Sequence, residues 1–183
     1  MVYEIDIAGL SRELPLCPIS GELNIAAFVL FGDVELTEHC AKKLAEKAPA
    51  HDVMITAESK GIPLIYSMAR QMGVNRYVLA RKSPKLYMRD VKKYEVQSIT
   101  TAARQTLYLD GADADYMKGK RVLIVDDVIS TGASLEALEH LVIAAGGTVV
   151  GKMAVLAEGD AINREDVIAL APLPLFDKNG KAL

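Results

Sequence analysis

The sequence predicts an α/β fold with a doubly wound, mostly parallel sheet, and three observations support this prediction. Short apolar, β-branched runs alternate with longer segments in which apolar residues recur at helical spacing. The runs at 53–56 and 122–125 are almost wholly apolar, as is typical of strands buried on both faces of a parallel sheet. Glycines follow the longer segments and supply helix stops. Strands that alternate with helices place helices on both faces of one sheet.

The individual elements follow from the same pattern. Leu36, Cys40 and Leu44 are spaced as on one helix face. Residues 81–94 show no clean period and suggest a long loop or hairpin. The first 30 residues, interrupted by prolines, should form short strands and loops of a side lobe. We expect helices at 33–48, 62–72 and 134–145, and strands at 53–56, 77–80, 106–109, 122–125 and 148–156.

Composition and charge limit the classes of function. The chain has 183 residues, half of them hydrophobic and a quarter charged, which suits a single domain with a packed core. A net charge of -3 argues against a nucleic-acid partner. The segment 81–104 differs in charge from the rest of the acidic chain, because it contains seven basic and two acidic residues. Such a segment on an acidic protein favours a small anionic ligand over a polymer.

Two features of the sequence indicate the cellular compartment of the protein. Cys17 and Cys40 lack metal-ligand spacing and suggest reduced cytosolic thiols. The residues after Met1 show no secretory signal, and no apolar stretch reaches membrane-spanning length. We therefore expect a cytoplasmic protein with no membrane partner.

The stretch 122–134 carries the strongest functional signal. An apolar strand ends in two adjacent carboxylates, Asp126 and Asp127, and a helix begins soon afterwards. Between them lies a run of small residues: Ser130, Thr131, Gly132, Ala133 and Ser134. A helix start offers unpaired N–H groups and partial positive charge to a phosphate. Two carboxylates suit a diol, whose hydroxyls donate to them. Together these features favour a ribose 5-phosphate. The alternative is a helix cap preceded by two turn residues.

The whole stretch closely resembles the signature of type I phosphoribosyltransferases, which use 5-phosphoribosyl 1-pyrophosphate (PRPP). The resemblance extends from about 33 to 156. It implies that Asp126 and Asp127 hold the ribose hydroxyls, while residues 130–134 surround the 5-phosphate. The family often has Ala-Thr-Gly-Gly-Thr there, so Ala133 and Ser134 are conservative departures.

A second element of the resemblance is the stretch Glu58, Ser59, Lys60 and Gly61, which follows the predicted strand at 53–56. It matches in position the Glu-x-Arg-Gly loop that meets pyrophosphate in adenine phosphoribosyltransferases. Lys60 stands where arginine is usual, which keeps the charge but loses the planar fork. The alternative is an exposed turn with a solvated lysine.

A third element, at 81–86, resembles the Arg-Lys-x-x-Lys-Leu sequence of the adenine and xanthine branch. It implies that Arg81, Lys82 and Lys85 neutralise pyrophosphate, with a second subunit of a homodimer contributing, and that the following loop closes over the site. The alternative is a solvated basic loop. The Ser-Tyr-x-x-Glu-Tyr run of adenine enzymes is absent from the sequence, which leaves the general acid or base open. The resemblance assigns catalysis to Asp126, Asp127, Lys82 and Lys85.

The resemblance also implies a small hood, formed by the chain termini (1–31 and 157–183), over a PRPP-binding core at 32–156. Phe28, Phe31 and Phe176 could face the base from this hood; ordinary core packing is the alternative for each. Mg²⁺ is implied as the cofactor, held mainly by PRPP and water, so no direct metal ligand is assigned.

The expected function is purine phosphoribosyl transfer in purine salvage, with adenine favoured over xanthine, hypoxanthine and guanine. Products would be the nucleoside 5′-monophosphate and pyrophosphate. The alternative is a PRPP-sensing regulator with the same fold and no transferase activity. Purine-operon repressors of that kind carry an N-terminal DNA-binding domain, for which this chain begins too close to the core.

Overall fold

A computed structural model describes residues 1–97 and 104–183 of the protein. Its helices are α1 (Val34–Lys47), α2 (Ile62–Gln71), α3 (Gly111–Met117) and α4 (Ala133–Ala144), with a 3₁₀ turn at Gly159–Asn163. Its strands are β1 (Val2–Ile7), β2 (Leu10–Pro18), β3 (Leu23–Ala26), β4 (Val53–Ala57), β5 (Val78–Ala80), β6 (Lys92–Gln97), β7 (Arg104–Leu109), β8 (Arg121–Ile129), β9 (Thr148–Glu158), β10 (Ile168–Leu173) and β11 (Phe176–Asp177).

The main sheet has five parallel strands in the order β10-β9-β8-β4-β5. From β4 the chain runs outward to β5 and later returns to β8 on the other side of β4. The strand order therefore reverses between β4 and β8, and the carboxyl ends of these two strands are where a ligand crevice is expected. The predicted doubly wound α/β fold is confirmed.

Alternating side chains of β8 separate two hydrophobic cores. Leu123 and Val125 pack with α1 and α2 on one face of the sheet. Val122 and Ile124 pack with α3 and α4 on the other. All four side chains are fully buried, which explains why this strand reads as a continuous apolar run. The sheet is thereby a rigid support for the loops at its carboxyl edge.

A second, antiparallel sheet joins the two ends of the chain in the order β1-β2-β3-β11. The boundary of the second terminal segment differs from the expected 157–183. Ala157 and Glu158 still belong to β9, and β10 pairs with β9 in the main sheet. Of that segment, β11 is the strand that joins the terminal sheet, because Phe176 pairs with Asn24.

The terminal sheet is tied to helix α1 by an ion pair at the start of that helix. Asp33 caps this helix, accepting a hydrogen bond from the Leu36 N–H at 2.9 Å. Arg12 of β2 donates to Asp33 from Nε at 2.7 Å. This arginine lowers the pKa of the Asp33 carboxyl below its ordinary value. The pair fixes the loop that joins β3 to α1.

The loop or hairpin expected after Arg81 contains β6, which pairs with β7 in an antiparallel two-stranded sheet. Two elements differ from expectation. Strand β8 continues past the predicted end at 125 to Ile129, through both carboxylates. Helix α3 was not predicted, because its seven residues are too few to show a helical period. Among the described residues, no helix is both long and apolar enough to cross a membrane.

Candidate active site

Two loops meet at the carboxyl edge of the main sheet: the β4 loop (58–61) and the β8 loop (130–134). They lie side by side because β4 and β8 are hydrogen-bonded neighbours. Each borders a cavity, here named for the same strand. The β4 cavity, of about 180 Å³, is lined by Ala57, Glu58, Ser59, Lys60, Lys82, Asp126, Asp127, Val128 and Ser134. The β8 cavity, of about 120 Å³, is lined by Asp126 and by residues 128–135.

The two cavities share Asp126, Val128 and Ser134. They therefore form adjoining halves of one crevice, with Asp126 at the junction and Asp127 in the β4 half. Of the sequence-predicted site residues, the structure brings together the β4 loop, Lys82, both aspartates and the β8 loop.

The β8 loop turns the chain from β8 into α4 at Gly132. Gly132 has φ of +83°, a left-handed conformation that favours glycine. The Gly132 carbonyl accepts the Glu136 N–H at 2.8 Å, which starts the helix. The first amides of α4 thus open toward the β8 cavity, with the positive end of the helix dipole behind them. This arrangement suits an anion without any charged side chain in the loop.

The two carboxylates differ in their surroundings. Burial, with the negative charge of Asp127 close by, raises the pKa of Asp126 to about 8. Asp126 Oδ1 accepts the Asp127 backbone N–H at 2.9 Å. Asp127 is 4% exposed, and its Oδ2 lies 2.8 Å from Lys60 Nζ. Among the described residues that buried oxygen has no well-aligned hydrogen bond, and the Lys60 ammonium lies beside it.

The β4 loop packs directly on β4 and on Asp126. A Cβ built at Gly61 would overlap Thr56 Oγ1 and lie 3.2 Å from Asp126 Oδ1. Thr56 Oγ1 is buried and has no hydrogen-bond partner among the described residues. The absence of a side chain at Gly61 thus lets the loop bring Lys60 to Asp127. Thr56 is a contributor that the sequence did not indicate, because it looks like any other strand threonine.

The basic segment after β5 is attached to the β4 loop through Glu58. Glu58 Oε2 accepts the Lys82 backbone N–H at 2.9 Å, and its Oε1 lies 3.4 Å from Arg81 Nη2. Lys82 lines the β4 cavity together with Lys60. Lys85 instead donates to Ser83 Oγ at 2.8 Å and is not part of that lining. The structure therefore gathers two lysines at the cavity and leaves Lys85 on its own loop.

The three phenylalanines expected near a base have different environments. Phe28 and Phe176 are buried in the core, where Phe176 packs against Tyr3 with ring centroids 4.9 Å apart. Ordinary core packing therefore describes both residues. Phe31 is 52% exposed and stands in the loop between β3 and α1. Of the three, Phe31 alone presents a free aromatic surface.

Comparison with known proteins places this site in a family. A family model described as the phosphoribosyl transferase domain matches residues 34–169. An adenine phosphoribosyltransferase of Mycobacteroides abscessus is 32% identical over 92% of this chain and 91% of its own. A hypoxanthine/guanine phosphoribosyltransferase of Methanosarcina mazei is 32% identical over 70% of this chain, which spans 64% of that relative's length.

The fold agrees with these matches. The crystal structure of adenine phosphoribosyltransferase from Rhodothermus marinus superposes with a TM-score of 0.70 at 26% identity, covering 87% of this chain and 94% of that one. The family match includes both loops of the crevice and the strands that carry them. The chain therefore belongs to the type I phosphoribosyltransferase family, within its adenine branch.

Proposed function

We propose that the protein transfers the 5-phosphoribosyl group of PRPP to a purine base, with adenine as the favoured acceptor. One observation carries this proposal. The crevice combines an anion-binding helix start, two carboxylates and two lysines in that spatial order. PRPP presents a 5-phosphate, a ribose diol and a pyrophosphate in the same order. The adenine and hypoxanthine/guanine phosphoribosyltransferases among its relatives support a purine acceptor.

The paired carboxylates would bind the ribose hydroxyls. Lys60 Nζ lies 2.8 Å from Asp127 Oδ2, and Asp127 lines the β4 cavity, where its carboxylate would accept a ribose hydroxyl. With its raised pKa, Asp126 can keep a proton near neutral pH and donate to a hydroxyl as well as accept from one. The adjoining β8 cavity would receive the 5-phosphate on the amides of α4.

The lysines of the β4 cavity would stabilise the leaving group. In the reaction a purine nitrogen forms a bond to C1 of the ribose while the bond from C1 to pyrophosphate breaks, and the base passes its N–H proton to water or to the departing pyrophosphate. Negative charge grows on pyrophosphate as positive charge develops on the sugar. Lys60 and Lys82 offer fixed positive charge on the pyrophosphate side, and Glu58 holds the Lys82 backbone in place.

Magnesium fits this crevice as a substrate-bound cofactor. Among the described residues, no group of three or more histidine, cysteine or acidic side chains is arranged to hold a metal. PRPP and water would be its main ligands, next to the carboxylates that line the β4 cavity. When bound, the ion would supply positive charge to the diphosphate.

The purine would lie on the open side of the ribose site, under the terminal sheet. Phe31 supports this placement because its ring is exposed on the segment joining that sheet to α1. We also propose a homodimer. Leu86 is fully exposed and Tyr87 is exposed next to it within the basic segment (81–104), a surface that a second copy of the chain would cover.

A panel assay tests the proposed function. The protein is incubated with PRPP, Mg²⁺ and each of adenine, hypoxanthine, guanine, xanthine, uracil and orotate, and pyrophosphate release is measured. We expect release with adenine at the highest kcat/KM. If PRPP binds but no base causes release, the protein is a regulator and not a transferase.

A further inference from the structure

The guanidinium of Arg164 lies against the β8 loop, although the residue stands far from that loop in sequence. Arg164 follows the 3₁₀ turn that ends at Asn163. Its Nη1 atom lies 2.8 Å from the position that a Cβ at Gly132 would occupy. A guanidinium at that separation contacts the loop backbone. Two features therefore disfavour a side chain at position 132: the positive φ of Gly132 and the contact with Arg164.

A chain of ion pairs fixes the direction of this guanidinium. Arg164 donates to Asp166 from Nε at 2.9 Å and from Nη2 at 2.7 Å. Lys152 Nζ lies 2.8 Å from the same carboxylate and 2.6 Å from Glu139 Oε1. Glu139 belongs to α4, the helix that begins at the β8 loop. The two-point contact with Asp166 turns the remaining edge of Arg164, with Nη1, toward Gly132.

The distribution of charged residues in the crevice indicates a role for the contact between Arg164 and Gly132. The β8 loop contains no lysine or arginine, and Asp126 and Asp127 precede it by a few residues. The β4 cavity has Lys60 and Lys82, so the cations of the crevice lie on the pyrophosphate side. A 5-phosphate in the β8 cavity would meet the helix dipole in front but no lysine or arginine of the loop itself. A cation behind the loop would add to the helix dipole in attracting the phosphate.

Building on the proposed function, we propose that Arg164 is a positioning residue for the 5-phosphate of PRPP. It supports the backbone of Gly132 and supplies positive charge behind the β8 loop. The lining of the β8 cavity comprises Asp126 and 128–135 without Arg164. Arg164 therefore acts through the loop and not as a direct ligand.

Calorimetric binding of two separate fragments of PRPP tests this role. Ribose 5-phosphate probes the β8 half of the crevice, and pyrophosphate with Mg²⁺ probes the β4 half. The variants are Arg164→Gln, Arg164→Lys and the control Arg121→Gln. Arg121 makes a similar two-point contact, with Asp52 at 3.1 and 2.8 Å, but stands at the amino end of β8.

Arg164→Gln should weaken ribose 5-phosphate binding by about tenfold and leave pyrophosphate binding within about twofold of wild type. Arg164→Lys should recover part of the lost affinity because it keeps the charge. Arg121→Gln should change neither ligand.

Three results would overturn the role of Arg164. These are unchanged ribose 5-phosphate binding in Arg164→Gln, an equal loss for both ligands, and a loss in Arg164→Lys as large as in Arg164→Gln. Wild-type binding of both fragments would leave the proposed function standing in each case. Wild-type protein that binds neither fragment, and does not bind PRPP, would instead remove the proposed function.

Discussion

Gly61 leaves no room for a side chain, and a double-mutant cycle with Thr56 measures the consequence. In Gly61→Ala the new methyl group would overlap Thr56 Oγ1. Thr56 is fully buried in β4, and a β-branched side chain there has little freedom to rotate away. Overpacking of this kind costs on the order of 2 kcal/mol. The melting temperature should fall by roughly 4–8 °C for a chain of this size.

Thr56→Ala should relieve the clash. Without the hydroxyl, the nearest atoms to the Gly61 methyl are Asp126 Oδ1 at 3.2 Å and Thr56 Cβ at 3.5 Å. Gly61 has φ of -71° and ψ of -13°, which alanine adopts without strain. In the Thr56→Ala background, Gly61→Ala should therefore be neutral or stabilising by up to about 1 kcal/mol. Thr56→Ser is the matched control, because it loses the same methyl group but keeps the hydroxyl.

Thermal unfolding followed by circular dichroism measures all members of the cycle. Steady-state kinetics with PRPP should also show a raised KM in Gly61→Ala, because the displaced β4 loop carries Lys60. Equal costs for Gly61→Ala in the wild-type and Thr56→Ala backgrounds would refute the proposed contact. So would a Gly61→Ala protein as stable as wild type.

Three further predictions concern the carboxylates and the aromatic residues. The unfolded chain loses the Asp126 proton with a pKa near 3.8, whereas the folded protein keeps it up to a pKa of about 8. The stability of the wild-type protein therefore falls as the pH rises through that window. Asp126→Asn should be more stable than wild type at pH 8, and the difference in unfolding free energy should shrink toward pH 4. Lys60→Met should weaken pyrophosphate binding about tenfold or more, because Asp127 loses its counter-ion. Lys60→Arg keeps the charge and should retain most of the affinity. Titration calorimetry with pyrophosphate compares the two variants. Phe28→Ala should cost about 3–5 kcal/mol in chemical unfolding. Phe31→Ala should leave stability nearly unchanged and raise the KM for adenine.

Local pattern was sufficient to predict four of the five strands of the main sheet, all but β10, and the loops beside them. Strands β4 and β8 are buried on both faces, so their sequences contain continuous apolar runs. The β8 loop places a glycine where φ must be positive, and hydroxyl residues around it. Each of these signals depends on residues adjacent in the chain. The sequence could therefore predict which stretches stand at the carboxyl edge.

Features that depend on contacts between distant segments were not predictable in this way. Arg164 and Asp166 come after β9, and no spacing relates them to Gly132. Lys85 lies in a basic run that a family pattern assigns to the site, yet its Nζ bonds to Ser83. Phe28 shares its residue type with Phe31 but lies in the core, because the direction of each ring depends on how the terminal sheet packs.

The central claim is that the crevice between β4 and β8 transfers phosphoribosyl from PRPP to a purine. Phosphorus NMR of wild-type protein with PRPP, adenine and Mg²⁺ follows the 5-phosphate and the pyrophosphate in one sample. We predict equal amounts of adenosine 5′-monophosphate and free pyrophosphate, dependent on adenine and strongly reduced in Asp127→Asn. Pyrophosphate formed at the same rate without adenine, or an Asp127→Asn protein as active as wild type, would contradict the account.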